Sequence, residues 1–177
     1  MADVSRQRCF VALPLPDPVL QACLDAQHAV RALSIPGTRY TAPQNLHLTL
    51  KFLGEIPAGT VAEVRRRLGE VRAPVVGVRV EGAGCFAPRI LWLKLEGADA
   101  LQQEVDHALE GLFEPERRFM GHVTIARTRR LSRPHERAVR SLEIPQVSAP
   151  VSQFSLQRSH LGPEGPRYEL LQVFALG

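Results

Sequence analysis

The sequence of 177 residues has little that would staple, cage or anchor a fold. Its three cysteines, Cys9, Cys23 and Cys85, are an odd number without paired spacing. That fits neither a disulfide framework nor a zinc site and suits a reducing compartment. No run approaches the roughly 18 apolar residues of a membrane-spanning helix. The opening MADVSRQRCFVALPLPDP lacks the charged-then-apolar order of a signal peptide, and Asp17 closes its apolar run early. A soluble, cytoplasmic protein with no membrane partner is the expectation. Aromatic residues make up only 6%, and no predicted strand carries an aromatic pair, which counts against a base-stacking RNA-binding module. There is no G-x-x-x-x-G-K-[ST] loop to cradle a nucleotide triphosphate, which counts against an ATP-driven ligase.

What is present is ordinary in bulk and uneven in detail. Apolar residues at 45% are enough for a packed core, and charged residues at 23% argue against wholesale disorder. The length fits one domain, or two small lobes sharing a core. A net charge of +4 conceals a basic stretch. From Arg117 to Arg140, eight arginines (117, 118, 127, 129, 130, 133, 137 and 140) face one acid, Glu136, a local net of +7. Such a stretch is either a solvated charged face or the electrostatic footprint of an anionic partner.

Periodicity orders the elements. RCFVALPL (8–15) reads as a strand. DPVLQACLDAQHAVRAL comes next as a helix, with Asp17 as N-cap and Pro18 in the first turn. SIPGTRYTAPQ reads as a loop and NLHLTLKFLG (45–54) as a strand. PAGTVAEVRRRLGEVRA gives a second helix, capped at Thr60, with Val61, Val64, Leu68 and Val71 on its apolar stripe. VVGVRVEGAGCFA and ILWLKLE are strands joined around Pro88-Arg89, and DALQQEVDHALEGLF is a third helix. GHVTIAR is a strand, RPHERAVRSL a short helix, and VSQFSLQRSHL and RYELLQVFAL two closing strands. Strands and helices mix without regular βαβ alternation, so an α+β fold with mostly antiparallel pairing is predicted.

Two strands carry the same odd pair. In NLHLTLKFLG, Leu46, Leu48, Leu50 and Phe52 alternate as an apolar face, and His47, Thr49 and Lys51 stand on the other. In GHVTIAR, His122, Thr124 and Ala126 share one face, and Val123 and Ile125 the other. With six histidines and six threonines, two chance His-x-Thr pairs are roughly a one-in-fifty event. Threonine hydroxyls donate to phosphate oxygens, and histidine exchanges protons near neutral pH. Two histidines on either side of a phosphodiester can protonate the leaving oxygen and deprotonate water without a metal or a covalent intermediate.

NLHLTLKFLG together with GHVTIAR resembles the two-histidine (2H) phosphoesterase superfamily. The flanks RCFVALPLPDPV, CFAPRILWLKLE and LQRSHLGPEGPRYELLQVFAL resemble its RNA 2′,3′-cyclic phosphodiesterases, also called 2′-5′ RNA ligases. The resemblance runs nearly end to end and implies one bilobal unit over residues 1–177. It implies two antiparallel sheets with pseudo-twofold symmetry, backed by helices, and an active site in the cleft between lobes. It further implies His47 as proton donor to the ribose 3′ oxygen and His122 as acceptor from water, with a 2′-phosphate as product. Thr49 and Thr124 would grip the phosphate, and Arg127 would neutralise it. Strand parity turns Arg127 away from His122, so the strand must end or bulge near Ala126. Phe10 matches an aromatic near the nucleobase in relatives. RNA ends or nucleotides bearing a cyclic phosphate are the implied partners, with no cofactor, no metal and a monomeric chain. Where relatives have proline before the second histidine this chain has Gly121, which loosens the local backbone.

Other readings stand beside this one. His47 and His122 can be satisfied sheet histidines, and a zinc site is disfavoured because no third His, Cys or acid sits at ligand spacing. His28, His107, His135 and His160 read as structural or solvated, Lys51 as an exposed lysine, and Trp92 as core. The rival functions are a non-catalytic RNA-binding module and 2′-5′ ligation by reversal of cyclic-phosphate opening.

Overall fold

In the computed structural model, which describes residues 5–177, alternating apolar residues build nine strands and 3.6-residue stripes build four helices. In chain order these are β1 (Arg6–Leu13), α1 (Asp17–Ala32), β2 (Arg39–Tyr40), β3 (Leu48–Pro57), α2 (Ala58–Leu68), β4 (Val76–Phe86) and β5 (Ile90–Glu96). Then come α3 (Asp99–Ala108), β6 (His122–Arg127), α4 (Arg133–Arg140), β7 (Ser148–Val151), β8 (Gln153–Gly162) and β9 (Gly165–Ala175). A 3₁₀ turn, Pro43–Asn45, leads into β3. The fold is α+β, as the mixed order of elements predicts.

Every strand pairs antiparallel, in the order β7-β4-β5-β6-β3-β1-β8-β9, with β2 against β6. The two expected sheets are thus two four-stranded halves, β7-β4-β5-β6 and β3-β1-β8-β9, joined into one curled sheet. The join is a single residue pair, Leu48 opposite Val123. Packing exchanges the helices between halves. α2 and α3 back β3, whereas α1, which precedes β3 in sequence, packs on β4, β6 and β7, and α4 packs on β4. One continuous core runs beneath, from Val19 and Cys23 on α1 through Leu48, Leu91, Leu93 and Ile125 to Phe154.

Several boundaries differ from the sequence reading. α1 starts at Asp17 behind Pro16, and α2 at Ala58 behind Pro57, neither with a side-chain cap, so Asp17 and Thr60 lie inside their helices. α3 stops at Ala108, short of Leu112. SIPGTRYTAPQ is not all loop, because Arg39 and Tyr40 form β2. Lys51 is not exposed: it is buried at 5%, ion-paired with Asp106 of α3 and bonded to the Glu114 carbonyl at 2.7 Å. Gly121 is not loose backbone. A Cβ there would lie 2.4 Å from the Leu95 carbonyl oxygen, so the residue permits a close approach to β5. No helix of the described residues is long and apolar enough to cross a membrane.

Candidate active site

The Leu48–Val123 pair brings the two His-Thr motifs side by side, since one step either way along antiparallel strands sets His47 across from Thr124 and Thr49 across from His122. Both motifs are then broken at the same point. Against β1, Thr49 pairs with Ala12 and Lys51 with Val11, leaving Leu50 without a partner. Against β5, Thr124 pairs with Trp92 and Ala126 with Leu91, leaving Ile125 without one. Each extra residue is a β-bulge, which reverses the parity of the residues beyond it.

Parity decides which side chains reach the cleft. Beyond Leu50, Lys51 turns to α3 and Phe52 joins His47 and Thr49, contrary to the alternation expected from the sequence. Phe52 is 59% exposed. Beyond Ile125, Ala126 is buried and Arg127 is exposed on the face of His122 and Thr124, as the sequence reading requires. Phe52 and Arg127 are therefore equivalent, each five residues after its histidine.

The Ile125 bulge is tied from behind. Its carbonyl accepts the Thr41 backbone N–H at 3.0 Å and the amide of Gln27, a buried α1 residue, at 2.8 Å. Gln27 also donates to the Thr41 carbonyl at 2.8 Å, and the Thr41 hydroxyl donates to the Thr124 carbonyl at 2.8 Å. A buried carbonyl with two donors is fixed in direction. Neither Gln27 nor Thr41 announces this role in the sequence.

The histidines are held alike. His47 Nδ1 lies 2.7 Å from the Asn45 carbonyl, and His122 Nδ1 lies 2.8 Å from the Met120 carbonyl, in each case two residues back. A carbonyl only accepts, so each Nδ1 carries a proton and each Nε2 is the nitrogen left for chemistry. In the neutral ring of His47, Nε2 accepts from the Thr49 hydroxyl at 2.9 Å. Each imidazole meets an aromatic edge-on: Tyr168 against His47 at 5.2 Å and Phe86 against His122 at 5.2 Å. Burial holds the pKa of His47 below 6.5, with the Asn45 carbonyl raising it and the charge of His122 lowering it further. Burial likewise raises the Tyr168 phenol, and the nearby Arg127 and Arg8 pull it back.

Phe10 does not face the cleft opening. It is 1% exposed, packed 4.9 Å from the rings of His47 and Tyr168, and backs the imidazole. On this wall the exposed ring is Phe52, which sits opposite Phe10 in the register at 5.9 Å. Trp92, read as core, lies on the cleft side opposite Thr124, its indole over Gly84 and its Nε1 buried without a partner. Pairing of separate strands assembles one aromatic cluster of Phe10, Phe52 and Tyr168 and another of Phe86 and Trp92. Neither cluster lies on a single strand.

Among the described residues no three His, Cys, Asp or Glu side chains converge as a metal ion would need. A cavity of about 420 Å³ lies away from the cleft, lined by Arg66, Arg67, Glu70 and Arg72 near α2 and by Glu104 and His107 on α3.

Comparison with known proteins places this geometry. Residues 13–92 match the family model of LigT-like phosphoesterases. The RNA 2′,3′-cyclic phosphodiesterase of Archaeoglobus fulgidus is 30% identical over 94% of this chain and 99% of its own. That of Thermus thermophilus is 34% identical over 96% of this chain and 90% of its own. The crystal structure of E. coli LigT in apo form superposes with a TM-score of 0.77 at 27% identity, covering 97% of this chain and 98% of that one. Its complex with 3′-AMP gives 0.73 at 29%, with the same coverage. With two imidazoles presenting Nε2 beside two threonines, and this likeness over nearly its whole length, the chain belongs to the LigT-like phosphoesterase family and is a phosphodiesterase.

Proposed function

We propose that the protein opens 2′,3′-cyclic phosphates at RNA ends to 2′-phosphates by metal-free acid–base catalysis between His47 and His122. The observation that carries this reading is the matched capping of both Nδ1 atoms by carbonyls, which leaves two Nε2 atoms for proton exchange. Thr49, Thr124 and Arg127 hold the nonbridging oxygens. His122 Nε2 takes a proton from water as its oxygen bonds to phosphorus, and His47 Nε2 gives a proton to the departing 3′ oxygen. The P–O3′ bond breaks, the 2′ ester remains, and solvent restores both rings. Positioning and charge supply most of the acceleration, as in phosphoryl transfer generally.

The lowered pKa of His47 supports a second reading with the roles exchanged. Burial favours neutral His47, the form of a base, so His47 acts as donor only if the negative charge of the bound phosphate stabilises an imidazolium protonated from solvent. One experiment separates the two. Adenosine or cytidine 2′,3′-cyclic phosphate is incubated with the protein in EDTA and the products are read by phosphorus NMR. A single 2′-phosphate is expected. A 3′-phosphate would exchange the roles, and turnover restored only by a divalent ion would remove the metal-free mechanism.

A further inference from the structure

The basic stretch of the sequence finds its place at the end of β6. Register sets Arg39 of β2 directly opposite Arg127, with Ile90 of β5 on the other side of Arg127 and Phe86 of β4 beyond it. Residues directly opposite in an antiparallel pair project to the same face. The next residue confirms the direction: the Tyr40 ring lies under the Arg31 guanidinium of α1 at 4.0 Å, so Arg39 points to the opposite, cleft side. Arg39 and Arg127 are both exposed, and neither side chain makes a hydrogen bond or an ion pair among the described residues.

Several other arginines of the molecule are held by partners, whereas these two are not. Arg66 and Arg67 are paired with Glu63, Arg79 with Glu81 and Glu96, and Arg65 and Arg140 donate to carbonyls. Like charges directly across a strand pair repel, and here no acid relieves them. More charge adjoins the pair. Arg129 lies against Gly37, just before Arg39, and the Arg89 carbonyl accepts the Thr128 N–H at 2.8 Å. The equivalent row in the other half, Phe52–Phe10–Gln157–Leu170, carries no charge. After its bulge, one wall thus presents the Phe52 ring, with the Arg8 guanidinium 5.8 Å from it, and the other presents the Arg39–Arg127 pair.

We infer that Arg39, with Arg129 and Arg89 flanking it, binds the backbone phosphates of nucleotides preceding the cyclic end, so that the cleft selects RNA strands over mononucleotides. The inference deepens the proposed function and rests on it. A terminal cyclic phosphate occupies the histidines, the threonines and Arg127, and its base meets the Phe52 wall. The rest of the strand then leaves over the second wall, where each further nucleotide brings one negative charge. The RNA strand is the occupant favoured over an acidic protein, because the cationic row begins at the scissile phosphate itself.

The test compares cytidine 2′,3′-cyclic phosphate with a pentaribonucleotide ending in the same group, using the wild type, Arg39→Ala and Arg39→Lys. The wild type is expected to prefer the pentamer, with a log–log salt dependence steeper by about 0.7 for each phosphate contacted. Arg39→Ala should lower kcat/KM for the pentamer by about tenfold, flatten that slope and leave the mononucleotide unchanged, while Arg39→Lys keeps most of the slope. Equal rates and slopes for the two substrates in the wild type would overturn the inference. So would an equal loss on both in Arg39→Ala, which would assign Arg39 to the scissile phosphate. If neither the mononucleotide nor the pentamer is hydrolysed, the functional reading fails. The inference is then judged by fluorescence anisotropy of a labelled pentamer, where undiminished binding by Arg39→Ala overturns it and weakened binding sustains it.

Discussion

Leu50 and Ile125 occupy the same place in their motifs: each is the residue inserted by a β-bulge, three positions after a histidine. The two bulges give the halves one geometry and different chemistry, because the residue each turns into the cleft is Phe52 in one half and Arg127 in the other. Substitutions on the two walls should therefore have different kinetic signatures, while the two histidines should be equally indispensable.

His47→Ala and His122→Ala should each reduce kcat by about a hundred- to ten-thousand-fold, the range for loss of a general acid or base. Circular dichroism and thermal unfolding should show both variants folded. A near-normal kcat in either would remove that histidine from the chemistry.

Arg127→Ala should lower kcat/KM by about a hundredfold, through loss of charge stabilisation at phosphorus. Phe52→Ala should act mainly on KM, since an exposed ring contributes binding area rather than charge. Phe10→Ala is of another kind. It empties a site beneath His47 and should destabilise the fold by about 3–5 kcal/mol in urea unfolding.

Gln27→Met removes an amide that fixes the Ile125 carbonyl, and with it the direction of Arg127. Steady-state kinetics should show kcat/KM reduced by about tenfold or more. The same substitution on top of Arg127→Ala should add little, because the group it positions is already gone. Equal losses in both backgrounds would make Gln27 a purely structural residue.

Lys51→Ala strands Asp106, which keeps only the Gln102 amide at 2.7 Å and the Glu116 N–H at 2.8 Å. Loss of one partner of a buried ion pair costs about 3 kcal/mol. Denaturant unfolding at neutral pH should find a loss of that size.

His47 links stability to pH. Its folded pKa lies below 6.5, so the unfolded chain binds the proton more readily. Unfolding free energy from this group therefore rises as pH increases through the window just below 6.5, and is lost again as pH falls through it. Urea unfolding between mildly acidic and neutral pH should show this slope reduced in His47→Gln. A proton NMR titration should place the His47 midpoint below 6.5.

The sequence by itself determined the class of fold, the stripes of the helices and the paired His-x-Thr motifs, because period-two and period-3.6 patterns and short motifs are local properties. It also required a break near Ala126, since strict alternation would carry Arg127 away from its histidine. Tertiary structure decided the rest. The bulge at Leu50 shows only in pairing with β1, and that register buries Lys51 and exposes Phe52. Gln27 meets Ile125 from 98 residues away, and Arg39 meets Arg127 across two paired strands. Phe10 could not be placed under His47 until β1 lay beside β3 and β8. Such contacts depend on strand order and register, which are set by burial of the whole sheet against its helices and leave no trace in any single segment.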